Sequence, residues 1–143
     1  MAHHLSLTLR NHKSEISRLV DRIEAFGNQA SLLPDVTFRL TLALDEIVSN
    51  VIRHAFADGA EHPIEVRLDV TNGVVTATVE DDGVPYDPRG APAPALDAPL
   101  EERQAGGLGM HLVRSTMDEI DYKREGGRNV LTVRTALAGR ESR

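Results

Sequence analysis

Between residues 55 and 64 the hydrophobic period of the chain changes from that of a helix to that of a strand. Upstream, Leu40, Leu44, Ile47, Val48, Val51, Ile52 and Ala55 recur at the spacing that lines one face of an α-helix. Downstream, Ile64, Val66, Leu68 and Val70 alternate with Glu65, Arg67, Asp69 and Thr71, the two-residue period of a half-buried strand. Asn72-Gly73 is strong hairpin-turn chemistry, and Val74 to Asp81 reads as the return strand.

The rest of the chain fits around that unit. Leu5, Leu7 and Leu9 alternate with polar neighbours and predict a strand over 4–10. Ile16, Leu19, Val20, Ile23 and Phe26 predict a helix over 12–30. The second helix opens at Pro34-Asp35 and is expected to close at Asp58-Gly59. Five of the seven prolines fall in residues 83–99, a stretch that can neither continue a helix nor donate regularly to a sheet. Beyond it the GGLG run at 106–109 leads into a helix of about 109–119. A last hairpin, 120–125 and 129–136, turns at Gly126-Gly127, and the tail 138–143 is expected to fray. The order β-α-α-β-β-loop-α-β-β predicts one domain over residues 1–143. Its expected fold is an α+β two-layer sandwich: a mixed, mostly antiparallel sheet with helices on one face.

Composition removes several functions. Lys and Arg total 16 against 22 Asp and Glu, a net charge of −6, which argues against nucleic acid as a partner. Cysteine is absent, which excludes Cys nucleophiles and Cys-based zinc sites. No apolar run approaches the roughly 20 residues of a membrane span, and the N-terminus lacks the apolar stretch of a secretory signal. The expectation is a cytoplasmic domain without a membrane partner. The six histidines show no convincing metal-ligand spacing.

Three features bear on chemistry. Glu46 and Asn50 lie one turn apart on the same face of the second helix. They are either a solvated helix edge or a polar pair beside the core that needs a partner. Asp81 continues the buried phase of Val75, Ala77 and Val79, and Gly83 follows. That pattern is either an ordinary strand exit or an acid poised to accept a hydrogen bond, with a glycine permitting close backbone approach. Gly107, Leu108 and Gly109 sit at a helix start, where free N–H groups and the helix dipole favour an anion. The same glycines would also suit a hinge.

Taken in order, LALDEIVSNVIRHAF (42–56), VEDDGVPYDP (79–88) and GGLGMHLVRSTMDEIDY (106–122) resemble the GHKL ATPase superfamily with its Bergerat fold. More narrowly, the chain is similar to the anti-sigma-factor serine/threonine kinases of bacterial partner-switching systems, the RsbW/SpoIIAB type. The resemblance covers about residues 5 to 136.

That resemblance implies ATP and Mg2+. Asn50 would hold Mg2+ through its amide oxygen, and Glu46 would be the general base for the substrate hydroxyl. Asp81 would accept a hydrogen bond from the adenine amine, and Gly83 would let the base approach the backbone. Residues 88–106 would form a lid, and Arg103 would reach the γ-phosphate. The N–H groups around Gly107, Leu108 and Gly109 would hold the phosphates. Asn129 stands where the superfamily often has Gly-Thr, and would be a further hydrogen-bonding group near adenine. The implied substrate is a Ser or Thr on a STAS-domain antagonist, the second partner an alternative sigma factor, and the assembly a homodimer. The alternative is a nucleotide-gated anti-sigma or adaptor module without phosphotransfer; the intact Glu46 weighs against it. A simple ATPase is a third reading.

Overall fold

The computed structural model describes residues 3–90 and 107–137. Strand β1 (His3–Arg10) is followed by a 3-10 turn (Lys13–Glu15) and helix α1 (Ile16–Gln29). Helix α2 is Pro34–His54, β2 is Pro63–Thr71 and β3 is Val74–Asp81. A second 3-10 turn covers Pro88–Gly90. Helix α3 (Gly107–Thr116), β4 (Glu119–Glu125) and β5 (Arg128–Ala136) complete the order read from the sequence. Residues 91–106 of the expected lid, Arg103 among them, and the tail 138–143 lie outside the described residues.

The five strands form one sheet in the order β1-β2-β3-β5-β4. Every ladder is antiparallel, so the parallel component of the expected mixed sheet does not occur among the described residues. Successive strands joined by Asn72-Gly73 and Gly126-Gly127 pair directly, as tight turns require. Ile64, Val66 and Leu68 of β2, Val75, Ala77 and Val79 of β3, and Leu131 and Val133 of β5 are buried in the core with Leu7 and Leu9 of β1. The helices supply the other half, through Leu19, Ile23 and Phe26 of α1, Leu40, Leu44, Ile47 and Val48 of α2, and Met110 and Val113 of α3. The opposite face of the sheet is polar. There Glu80 pairs with Arg67 at 2.8 Å and Arg128 at 3.2 Å.

Local chemistry explains the helix ends. Pro34 occupies the first turn of α2, with Asp35 beside it and Arg53 and His54 in the last turn, the arrangement the helix dipole favours. The helix ends at His54, four residues before the expected stop. The reason is tertiary: the carbonyl of Ala55 accepts the N–H of Val84 at 2.8 Å, and Phe56 stacks on His62 at 4.5 Å. Helix α3 begins at Gly107 and ends at Thr116, shifted from the predicted 109–119. Its exit is set by Asp118, whose N–H bonds the carbonyl of Arg134 and so joins the sheet. Arg39 is buried on α2 and ties three elements together, donating to Asp35, the Thr116 carbonyl and Thr135 Oγ1. No helix among the described residues is long and apolar enough to cross a membrane.

Candidate active site

The last turns of α2 pack beside the exit of β3 and the start of β5. Glycine makes that approach possible at Gly83. A Cβ there would lie 2.2 Å from the Ala55 carbonyl oxygen and 2.7 Å from the Ala55 Cβ. The missing side chain of Gly83 makes room for the end of α2. The contact brings Asn50 and Asp81 to one pocket.

Asp81 is 2% exposed. Its Oδ1 accepts the N–H of Gly83 at 2.8 Å and Nδ2 of Asn129 at 2.9 Å. Both bonds end on Oδ1, which leaves Oδ2 without a donor among the described residues. Asp81 is a buried acceptor, and its bond from the Gly83 N–H is also the chemistry of an Asx turn at a strand exit.

Asn129, directly opposite Asp81 in the β3–β5 register, is a hub that the sequence left almost unmarked. Its Nδ2 also donates to the Val84 carbonyl at 2.8 Å, while Oδ1 accepts the Tyr86 N–H at 3.2 Å and the Tyr122 hydroxyl. Arg124 donates to the Gly83 carbonyl at 2.7 Å and to Asn129 Oδ1 at 3.3 Å. Tyr122 ends the third motif without a role assigned from it, and Arg124 lies outside every motif; the hairpin register brings both here.

Asn50 is 1% exposed, and its Nδ2 has no hydrogen-bond partner among the described residues. Its Oδ1 accepts from Nη2 of Arg53 at 2.9 Å. A guanidinium can only donate, so this pair fixes the amide with oxygen toward Arg53 and strands the nitrogen. A buried donor left unpaired costs about 1–3 kcal/mol and calls for a ligand or another explanation. Arg53 was missed by the sequence reading, although three-residue spacing from Asn50 on a helix was the signal that could have found it.

Glu46 is partly buried one turn before Asn50. Burial pushes its carboxyl above the usual carboxylate range, and Asp45 adds to the rise while Arg53 opposes it. His54 is exposed and stacks on Tyr86, with ring centres 5.1 Å apart. Gly107, Leu108 and Gly109 lie within α3 rather than in a turn ahead of it.

The cavity shared by Asn50, Asp81 and Asn129 is lined also by Ile47, Tyr86 and Pro88 and holds about 10 Å³. That is room for no more than one water. A larger cavity of about 520 Å³ lies alongside, between Phe56, His62, Asp82, Gly83 and Arg124. It reaches neither Asn50 nor Asp81.

With that geometry in place, the comparisons decide the family. A profile of the histidine kinase-like ATPase domain matches residues 9–135. The chain belongs to this family. The serine/threonine-protein kinase BtrW of Bordetella bronchiseptica is 38% identical over 96 residues, covering 67% of this chain and 68% of that protein. An anti-sigma F factor of Geobacillus stearothermophilus is 24% identical over 122 residues, covering 85% of this chain and 82% of its own length. A solved structure of the RsbU and RsbW domains of a Mycobacterium tuberculosis protein superposes with a TM-score of 0.69 at 16% identity. It matches 94% of this chain, which spans about a third (32%) of that one. The fold class and the family resemblance drawn from the motifs are thus borne out. The similarity to BtrW supports the enzyme class drawn from them, a protein serine/threonine kinase.

Proposed function

We propose that this histidine kinase-like ATPase domain transfers the γ-phosphoryl of ATP to a Ser or Thr of a STAS-domain antagonist, and holds an alternative sigma factor when that antagonist is phosphorylated or absent. One observation carries the reading. A buried carboxylate with a free oxygen, Asp81, and a buried amide with an orphaned donor, Asn50, line one pocket, and Glu46 is one turn from the amide. The relatives named as a serine/threonine kinase and as an anti-sigma F factor support both halves of the role.

Each residue then has a task. Asp81 Oδ2 accepts from the adenine amine, while Asn129 and the Gly83 N–H hold Oδ1 and fix the carboxylate. The first-turn N–H groups of Gly107, Leu108 and Gly109 hold phosphate oxygens. Asn50 Oδ1 already faces a cation, the Arg53 guanidinium. It therefore fits Mg2+, which takes few protein ligands and completes its shell with phosphate and water. When bound, Mg2+ neutralises charge on the phosphates. Glu46 accepts the proton of the substrate hydroxyl, and its partly desolvated carboxylate is the stronger base for it. A homodimer through the N-terminal strand and helix suits a sheet in which β1 is an edge strand.

The deciding experiment mixes the full chain with labelled ATP, Mg2+ and a STAS protein encoded by a neighbouring gene. Transfer that disappears in Glu46→Ala while nucleotide binding persists is the expected result. Tight ATP binding with no transfer to any STAS partner overturns the kinase in favour of the adaptor. Unchanged ATP affinity in Asp81→Asn overturns the nucleotide site.

A further inference from the structure

Arg39 is only 8% exposed on α2. A cation taken out of water needs acceptors that offset its lost hydration. Nε donates to Oδ2 of Asp35 at 3.2 Å, and Nη1 donates to the Thr116 carbonyl at 3.3 Å and to Oγ1 of Thr135. Asp35 is an exposed neighbour on the same helix, but the other two acceptors belong to other elements. Thr116 is the last residue of α3, and Thr135 is a fully buried residue of β5. The last carbonyls of a helix have no donor of their own, and the negative end of its dipole favours a cation there. Arg39 therefore caps α3 from a different helix. Apolar contact is non-directional, so Met110 and Val113 alone would let α3 slide or turn against α2; a hydrogen bond holds one distance and one direction. Arg39, Glu46 and Asn50 are spaced by about two and about three helical turns, so they share one face of α2. Asn50 lies about 16 Å along α2 from Arg39, and Gly107 about 14 Å along α3 from Thr116. The bond at Thr116 fixes one end of α3 against the face of α2 that carries the site, and so decides where the other end lies.

We propose that Arg39 is a positioning residue for phosphotransfer: through the Thr116 carbonyl it sets α3 against α2, so that the N–H groups of Gly107, Leu108 and Gly109 meet the phosphates of ATP. This rests on the nucleotide reading above and goes beyond it, because Arg39 itself touches neither ATP nor substrate.

Calorimetric titration of the full chain in Mg2+ with ATP, and separately with adenosine, which carries no phosphate, tests it. Arg39→Met keeps the length and bulk of the side chain without its donors. It is expected to weaken ATP binding about tenfold, the worth of one misplaced phosphate contact, and to leave adenosine binding at the wild-type value. Arg39→Lys keeps a charged donor for the Thr116 carbonyl and is expected to recover part of the loss. Should Arg39→Met fail to fold, Thr135→Val removes one acceptor and leaves the charge in place. It is expected to show the same selective loss at about threefold. Unchanged ATP affinity in the variant that folds overturns the inference. So does an equal loss for ATP and adenosine, which marks a general loosening of the pocket. A wild-type chain that binds neither ligand, or binds ATP no tighter than adenosine, overturns the nucleotide reading itself and is recognised before any variant is made.

Discussion

Nδ2 of Asn129 donates to Oδ1 of Asp81 across 2.9 Å at the point where β5 faces the last residue of β3. Both side chains are buried. The bond fixes one carboxylate oxygen and frees the other, and the same asparagine holds Val84 and Tyr86 of the following segment. Carboxylate orientation and segment position therefore share one anchor.

Asn129→Ala removes that anchor and leaves buried groups unpaired. It is expected to cost about 2–3 kcal/mol of stability and to weaken ATP binding, because Asp81 is no longer held. Urea denaturation and calorimetry read the two effects separately. A variant with wild-type stability would show that the hub contributes little.

Gly83→Ala tests the packing role of the glycine. The new methyl group meets the Ala55 carbonyl at 2.2 Å, and backbone cannot yield as a flexible side chain does. A loss of about 1–3 kcal/mol is expected, the usual range for overpacking, measured on the nucleotide-free protein. If the glycine served only ligand approach, stability without nucleotide would stay at the wild-type value.

Glu46 should give a pH signature of opposite sign for stability and for catalysis. Its carboxyl is raised by burial, so the native state holds its proton to higher pH than the unfolded chain does. Stability from this group is greatest at acid pH and falls as pH rises through the raised range. Glu46→Gln is accordingly expected to melt higher than wild type at neutral pH, with the gap closing in acid. Phosphotransfer instead should rise over the same range as the base ionises. Melting curves and initial rates across pH 4–8 check both.

His62 bridges Asp58 at 2.9 Å and Asp82 at 3.1 Å. The hydrogen bond that His62 makes to the Asp58 carboxylate leads the causes that raise its pKa above the ordinary histidine value. The stabilisation is fully present below the unfolded-chain value and is lost as pH rises through the folded one. His62→Gln is expected to lower the melting temperature most at pH 5–6, with the difference shrinking toward pH 8–9. A pH-independent difference would place the contribution in the stacking on Phe56 instead.

The amino-acid sequence by itself determined the layers. Alternation in β2 and β3, the Asn-Gly turn between them, and the helical stripe of α2 set element type and sequence order, because each depends on local period and turn chemistry. It also marked Glu46, Asn50 and Asp81 through spacing and strand phase. Tertiary structure decided the rest. Helix α2 stops at His54 because Val84 claims the Ala55 carbonyl, a contact across 29 positions that no local pattern encodes. Gly83 owes its place to Ala55. Asn129 and Arg124 reach Asp81 and Gly83 through antiparallel register alone, and the pocket is closed by a segment that follows β3. Periodicity reports which face of an element is buried; only packing fixes which groups meet there.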